Sequence, residues 1–294
     1  MDELLELLEP YCRQKHISVA LPSQRADAFD EGLVQQLEKM RRTGLTFAVE
    51  AGTQRLRDVI NKNIREEDVF NACRIAFSHG WNSVKLYFMM GLPTETDEDL
   101  DGIARISRTV VELWRQYCPN KKRPVRVSTS VAVFVPKPCS PFQWEGQDSM
   151  AEILRKQEYL KSIMKIKNVD FSWHDPYISI LEGALSRGDR RLGAVLYEAW
   201  RRGCKFDGWD DQLNRDSWDA AFAACGLTRE YYAERARSFE ETLPWDHIFH
   251  GVTHEYMQRQ ASLARKGAAS PDCRSGGCAS CGASCLIERG VCDV

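Results

Sequence analysis

Five of the eleven cysteines in this 294-residue chain lie within its last 22 residues. Four of them follow the pattern Cys273-x4-Cys278-x2-Cys281-x3-Cys285, with Gly and Ser residues between them. Thiolates this close together can hold one metal centre, because small intervening residues let the backbone fold around it. We therefore predict a metal site at these four cysteines. The spacing fits both zinc and an iron–sulfur cluster, and free thiols in a flexible tail are the alternative.

A second candidate for chemistry is a carboxylate at the end of a predicted strand. Glu50 directly follows the apolar run 45–49, and Lys62 closes the helix predicted after it. A carboxylate at the end of a buried strand needs water or a hydrogen-bond partner, because burying it unpaired costs several kcal/mol. In the alternative reading, Glu50 caps the next turn and Lys62 is a cation at a helix C-terminus.

Glycine, proline and polar residues mark the other predicted strand ends. Gly52 and Gly91 allow a positive φ or the close approach of a ligand, and Pro93 follows the second of them. Arg25 follows another apolar run and is a further candidate for binding a carboxylate. Thr96 precedes an acidic, amphipathic segment and is interpreted as a helix cap.

The elements that would position these residues alternate along the first part of the chain. Strands are predicted at 17–21, 45–49, 84–90, 126–134 and 169–173. Helices are predicted between them, including helices over 31–42, 54–62 and 66–79, and this alternation indicates βα units and a parallel sheet. So few units form part of a barrel, since eight need about 250 residues. We predict an α/β partial barrel over 1–175, a helical extension over 176–265 and a Cys-rich tail over 266–294.

The predicted strand ends together resemble a known family. In order they are Leu21-Pro22-Ser23-Gln24-Arg25, Glu50-Ala51-Gly52-Thr53, Gly91-Leu92-Pro93-Thr94-Glu95-Thr96 and Val135-Pro136-Lys137-Pro138. This series resembles the later half of the radical S-adenosylmethionine (SAM) barrel, in particular its cobalamin-associated branch. Later motifs resemble a poorly characterised subfamily with a cobalamin-binding domain before the barrel: Leu181-Glu182-Gly183, Ser186-Arg187-Gly188-Asp189-Arg190-Arg191, Phe206-Asp207-Gly208-Trp209 and Leu243-Pro244-Trp245-Asp246-His247.

The resemblance implies roles for the strand-end residues. Glu50 would hold the polar end of SAM, Lys62 or Arg25 would pair with its carboxylate, and the turns at Gly52, Gly91 and Pro93 would lie near the cofactor. The family's C-x-x-x-C-x-x-C motif, which holds its [4Fe-4S] cluster, is absent. We therefore expect this chain to be the SAM-binding and substrate half of a longer enzyme, inactive without its N-terminal half.

That missing N-terminal half is then the expected partner, and it would also carry any cobalamin. The alternative function is a helical binding module with a metal knuckle, or an inactive remnant, recognising RNA or protein. The near-balanced charge, 40 Lys and Arg against 42 Asp and Glu, argues against nucleic acid as a partner. The chain has neither a signal peptide nor an apolar stretch long enough to span a membrane, so we expect a cytoplasmic protein.

Overall fold

The computed structural model describes residues 2–39, 43–209, 211–273 and 277–283. The chain divides into two compact units. The sheet unit comprises Met1–Ala132 and Lys156–Trp173, and the helical unit comprises Val133–Arg155 and His174–Val294.

Four strands and eleven α-helices are found in the described part of the chain. In the first half these are α1 (Asp2–Lys15), α2 (Glu31–Glu38), β1 (Leu45–Glu50), α3 (Gln54–Val59), α4 (Glu66–Ser78), β2 (Ser83–Met90), α5 (Asp97–Tyr117) and β3 (Arg126–Val133). In the second half they are α6 (Met150–Ile163), β4 (Val169–Trp173), α7 (Pro176–Arg187), α8 (Leu192–Arg201), α9 (Arg215–Ala224), α10 (Arg229–Ala233) and α11 (His254–Arg265).

The strands form one sheet in the order β1-β2-β3-β4, in which β1 pairs in parallel with β2 and β3 in parallel with β4. Burial alternates along β1 and β2, as expected for strands with one covered face. The covered face carries Phe47 and Leu86, which are fully buried. Ser107 of α5 hydrogen-bonds to Thr129 of β3 at 2.9 Å. The α/β fold with a parallel sheet is therefore confirmed, and it is consistent with part of a barrel.

The predicted strand at 17–21 is wrong. Residues 17–21 have no regular structure, and Ile17 is 42% exposed. The parallel bridge to β1 is instead made by Gln24, whose backbone N–H donates to the carbonyl of Thr46 at 2.8 Å. An apolar run becomes a strand only where a neighbouring edge is within hydrogen-bonding reach, and β1 offers that edge to Gln24.

Two helices end earlier than predicted. The helix expected over 54–62 ends at Val59, and the helix expected over 31–42 ends at Glu38, with 40–42 outside the described residues. The start of α5 agrees with the sequence, because Thr96 is its N-cap in a reciprocal capping box with Asp99.

The helical unit contains α7 to α11 and two clusters of buried side chains. One cluster includes Tyr177, Leu181 and Trp218, and the other includes Trp144 and Trp245. Among the described residues, no helix has the length and apolar character needed to cross a membrane.

A close contact between two glycines joins the turn after β1 to α5. A Cβ on Gly52 would overlap the backbone carbonyl of Asp99, and a Cβ on Gly102 would overlap the carbonyl of Gly52. Gly52 does not have a positive φ. The residue is therefore glycine because the α5 backbone occupies the space of a side chain.

We predict that Gly102→Ala destabilises the protein, because the added methyl group forces α5 away from the turn. The expected loss of unfolding free energy is about 1–3 kcal/mol or more. Gly193→Ala is the matched control, since Gly193 also lies in a helix but has open space around its Cα. That substitution should raise stability by about 0.5 kcal/mol through helix propensity. Equal melting temperatures for Gly102→Ala and the wild type would contradict the contact.

Candidate functional site

The carboxyl end of β1 has an unusual backbone geometry at Glu50. Its φ is +70°, and a bulge falls between Ala48 and Glu50 in the pairing with β2. A residue other than glycine in this region costs about 1–2 kcal/mol, so it persists only where the surroundings enforce it. The bulge turns the Glu50 carboxylate toward the loop after α3.

Lys62 reaches Glu50 because of the way α3 ends. Asn61 adopts a left-handed conformation with φ of +51°. The N–H of Lys62 donates to the carbonyl of Arg57 at 2.9 Å, and the N–H of Asn61 donates to the carbonyl of Asp58 at 3.0 Å. These two bonds form a Schellman motif, which ends the helix and reverses the chain.

The result is an ion pair between two of the predicted site residues. Lys62 Nζ lies 2.8 Å from Glu50 Oε1, and both side chains are 22% exposed. Lys62 lies three residues beyond the end of α3, so the alternative reading of it as a cation of the last helical turn is wrong. The structure thus brings Glu50 and Lys62 together, and the binding of SAM by either residue stays a prediction.

A second turn follows β2, and a buried carboxylate holds it. Gly91 has a φ of +81°, and its N–H donates to Glu95 Oε2 at 2.7 Å. The same oxygen lies 2.9 Å from Lys156 Nζ, and the Glu95 and Lys156 side chains are only 1% and 7% exposed. The Gly91 amide is therefore already used within the protein. A ligand at this turn would meet its other main-chain groups.

Asp99 of α5 joins the two turns. Its carboxylate accepts hydrogen bonds from the hydroxyl of Thr53 and from the guanidinium of Arg55, both in the segment after β1. It also accepts from the backbone N–H of Thr96 at 2.8 Å, in the turn after β2. Arg55 in turn donates to the carbonyl and hydroxyl of Thr94, at 3.0 Å each.

The charge of Asp99 is favoured by these partners despite its burial. Its side chain is 2% exposed. Burial raises the pKa of the Asp99 carboxyl, but the hydrogen bonds from Thr53, Thr96 and Arg55 together lower it by more, so the pKa lies below its ordinary value. Sequence reasoning missed Asp99 as a link, although the Thr-x-x-Asp capping pattern was visible.

The remaining predicted residues of this edge occupy different settings. Arg25 pairs with Asp27 at 2.8 Å and donates to the carbonyl of Asn63 at 3.4 Å, beside Lys62. Pro93 is half-buried in the turn after β2. The structure thus brings Arg25 to the segment that carries Lys62. Gly52 instead packs against the backbone of α5. Ligand contact for each of these residues stays a prediction.

A second charged group near the turn after β1 was not predicted. Arg57 is fully buried and donates to the carbonyl of Ala51 at 2.7 Å. Burial lowers the pKa of Arg57, against the opposing effect of Glu66. Hydrogen bonds from Arg105 lower the pKa of Glu66, and Arg105 also donates to the carbonyl of Gly52 at 3.4 Å. Arg57 of α3 and Arg105 of α5 thus hold the backbone of the turn, and Glu66 of α4 pairs with both arginines.

Three of the four predicted metal ligands lie in the described residues. Cys273 and Cys278 are exposed and Cys281 is partly buried, while Cys285 lies outside the described residues. The backbone around Cys281 contacts α11, because the N–H of Thr253 donates to its carbonyl at 2.8 Å. Within the described ranges, no group of three or more His, Cys, Asp or Glu side chains is arranged to hold a metal. The four-cysteine site stays a prediction.

His247, His250 and His254 do not lie on one helix. His247 and His250 precede this helix, which begins at His254 with Thr253 as its N-cap. The spacing of these three histidines would place them on one side only if 246–260 were helical. His254 instead packs edge-on against Trp144.

The edge formed by β1, β2 and their turns lies in a recognisable stretch of sequence. Residues 1–106 match the Radical SAM superfamily. The match covers Arg25, the Glu50–Lys62 pair, the turn at Gly91 and Asp99. It therefore supports SAM and an iron–sulfur cluster as the cofactors of this kind of domain.

A curated relative extends the comparison. An uncharacterized protein of Methanocaldococcus jannaschii is 35% identical over 181 residues, which are 62% of this chain and 37% of the relative. The chain thus spans well under half the length of the relative it matches. The activity of the longer protein is therefore treated only as a proposal.

The Asp99 link makes stability depend on pH in a defined direction. Because the folded-state pKa of Asp99 is lowered, its contribution is fully present above the unfolded-state pKa of about 3.9. It is lost as the pH falls through the folded-state pKa. We predict that Asp99→Asn lowers the unfolding free energy by about 2 kcal/mol or more at pH 7. The difference from wild type should shrink as the pH falls below about 4.

Denaturant unfolding of both proteins across this pH range checks the prediction. Glu98→Gln is the control, because Glu98 is the exposed neighbour on the same helix, and it should have little effect at any pH. A wild-type-to-Asp99→Asn difference that stays constant down to pH 2 would show that the Asp99 charge is not the stabilising group.

The tail can be tested on the chain as it stands. We predict that purification without oxygen retains metal on Cys273, Cys278, Cys281 and Cys285, and that replacing any one with Ser reduces the metal content. Iron with sulfide and broad visible absorbance would identify a cluster, whereas one zinc without colour would identify a structural site. Cys225→Ser is the control, since Cys225 is far from the tail in sequence. Metal-free protein under these conditions would refute the site.

Proposed function

We propose that this chain is the SAM-binding and substrate half of a radical SAM enzyme that acts together with a preceding segment. The observation that carries the proposal is the Glu50–Lys62 ion pair at the carboxyl end of β1, within residues that match the radical SAM superfamily. In barrels built from parallel strands, ligands bind at this end of the strands.

The charges at the edge are suited to the amino-acid part of SAM. That group carries an ammonium and a carboxylate on one carbon. Glu50 offers a negative charge for the ammonium, and Lys62 offers a positive charge for the carboxylate. Arg25 provides a second cation through its position beside Asn63. When the zwitterion binds, its ammonium replaces Lys62 as the partner of Glu50, and its carboxylate replaces Glu50 as the partner of Lys62. Neither protein charge is therefore left unpaired.

Each chain residue then has a defined task. Glu50 would bind the ammonium, Lys62 the carboxylate, and Asp99 would keep the turns after β1 and β2 at a fixed separation as a positioning residue. When bound beside a reduced cluster, SAM supplies a carbon radical that removes a hydrogen atom from a substrate. The protein contributes binding, orientation and exclusion of water.

This chain lacks the cysteine motif that holds the radical SAM cluster. The sequence contains no C-x-x-x-C-x-x-C, and the tail spacing Cys278-x2-Cys281-x3-Cys285 runs in the opposite order. We infer that the ligands of the radical cluster lie on the preceding segment and that the tail holds a separate metal site. Cobalamin would belong to that segment as well. Its association with this chain depends only on the resemblance of the turn motifs.

A binding module without catalysis is the second candidate. Its support is the cysteine-rich tail beside a helical unit, a combination that can serve recognition without a radical cluster. The two candidates differ in what precedes Met1 in the gene. An in-frame C-x-x-x-C-x-x-C within about 100 residues upstream, enough for the first βα units of a barrel, would favour the enzyme.

SAM binding tests the proposal directly. In the polypeptide that includes the upstream motif, we expect Glu50→Gln and Lys62→Met each to weaken SAM binding at least about tenfold, or about 1.4 kcal/mol. Titration calorimetry gives the affinity. The matched control is Glu182→Gln, which removes one partner of the exposed Lys137–Glu182 ion pair in the helical unit and should leave SAM affinity unchanged.

Two results would contradict the proposal. If Glu50→Gln binds SAM as well as the wild type does, the ion pair is a structural feature of the turn. If translation begins at Met1 and the chain does not bind SAM, a binding module or an inactive remnant is the better description.

A further inference from the structure

The sheet unit has a cavity of about 620 Å³ at the amino end of its strands, opposite the edge that carries Glu50. The segments that enter β1, β2 and β3 enclose it together. The starts of β2 and β3 are adjacent there, because the N–H of Arg126 donates to the carbonyl of Asn82 at 2.8 Å. The polar residues of the lining are Thr43, Asn82, Ser83, Asn120, Lys122 and Arg123. Among the described residues that line this cavity, which we name the amino-end cavity, there is no carboxylate.

The neutral side chains of the amino-end cavity offer hydrogen-bond donors. The side-chain oxygen of Asn120 accepts from the N–H of Lys122 at 3.1 Å, which leaves the amide NH₂ group of Asn120 for another partner. Asn82 and Ser83 are half-buried, and their side chains form no hydrogen bond with the part of the chain that the structure describes. Half-buried polar groups are normally paired with protein or water. These three side chains therefore remain available to a ligand.

Lys122 and Arg123 bring two positive charges to the same cavity. Neither forms an ion pair with any residue in the described ranges. They lie five and six residues beyond Tyr117, the last residue of α5. Neither is therefore a cation of the last helical turn, where the helix dipole would account for it. Two neighbouring like charges repel each other, and a bound anion between them removes that repulsion.

The chain around the amino-end cavity adds to this positive charge. Residues 112–126 and 158–170 together contain eight Lys and Arg side chains against three Asp and Glu side chains. The two segments are adjacent, since the side-chain amide of Asn168 donates to the carbonyl of Val125 at 3.0 Å. Two of the three carboxylates already form ion pairs with basic residues of the same segments, at 2.6 Å each. The third, Glu112, lies within α5 and does not line the cavity.

Carboxylates on the other side of the cavity are also paired. Glu31 and Glu38 contact the two ring nitrogens of His79, at 2.6 and 3.1 Å. His79 directly precedes the cavity residue Gly80, but neither glutamate lines the cavity. The excess of positive charge at this edge of the sheet is therefore not cancelled by its acidic neighbours.

We propose that the amino-end cavity binds a phosphate-bearing small molecule. A phosphate group carries up to two negative charges and several acceptor oxygens, which match two cations and three neutral donors. The guanidinium of Arg123 can donate two parallel hydrogen bonds to such a group. The volume of the cavity is in the range of about 300–1,000 Å³ that is typical of small-molecule sites.

The cavity is less suited to single-stranded nucleic acid. Proteins that bind single strands stack the bases on exposed aromatic rings. The aromatic side chain of this cavity is Trp81, which is only 5% exposed and donates its indole N–H to the carbonyl of Thr43 at 3.0 Å. Reactions in barrels of parallel strands take place at the carboxyl ends of the strands. A ligand at the opposite end is therefore bound and not transformed, and the proposal does not rest on SAM binding.

The test measures binding of inorganic pyrophosphate and of adenosine triphosphate to the full 294-residue chain, by titration calorimetry at low salt. We expect Lys122→Ala and Arg123→Ala each to weaken binding about tenfold, because each removes a hydrogen bond from a charged group. Asn82→Ala removes a neutral donor without changing the charge, and it should weaken binding about threefold. Tighter binding of adenosine triphosphate than of pyrophosphate would support a nucleotide as the ligand. Equal binding would support the phosphate group as the feature recognised.

Lys121→Ala is the matched control, because Lys121 carries the same charge in the same exposed run but does not line the cavity. It should bind pyrophosphate as the wild type does. Equal losses of affinity in Lys121→Ala and Lys122→Ala would show diffuse attraction to a basic loop and would overturn the proposal. Absence of binding by both phosphate probes at low salt, or citrate binding as tightly as pyrophosphate, would also overturn it. So would binding of a single-stranded RNA by a chain that binds neither phosphate probe.

Discussion

The carboxylate of Asp99 accepts hydrogen bonds from two turns that the chain places far apart in sequence. Thr53 and Arg55 come from the segment after β1, and Thr96 comes from the turn after β2. A carboxylate that is 2% exposed is costly to bury unless several donors compensate its charge. Because the donors come from both turns, neither turn can move away without leaving that charge exposed to an apolar environment. The strand-end edge therefore has a fixed geometry before any ligand arrives.

That constraint explains why strained backbone is tolerated at the edge. Glu50 and Thr94 both have positive φ values, at +70° and +69°. Each is held by a long side chain from another element, since Lys62 pairs with Glu50 and Arg55 binds the carbonyl and hydroxyl of Thr94. The strain is local, and the hydrogen bonds and ion pairs that oppose it connect β1, β2 and α3. This is the arrangement expected where a binding site must be ready before its ligand binds.

The sequence predicts the parallel strands well, because runs such as 45–49 and 84–90 are apolar, β-branched or aromatic and are followed by turn residues. It also predicts the cap at Thr96, since a capping box is local. It does not predict that Thr53 bonds Asp99, because those residues are 46 positions apart and their pairing follows from tertiary packing. The strand predicted at 17–21 is wrong because a short apolar pattern carries no information about whether a neighbouring strand edge is available to pair with.

The predicted site residues show the same difference between what local sequence indicates and what tertiary packing decides. Glu50 is predictable because a charged residue at the end of a buried strand is conspicuous in sequence, whereas Lys62 is predicted only from the resemblance to related barrels. Gly52 was identified as special for the wrong physical reason: a close approach was expected from a ligand, whereas α5 makes it at Gly102. Sequence identifies that a position is constrained, and only the packing identifies which neighbour constrains it.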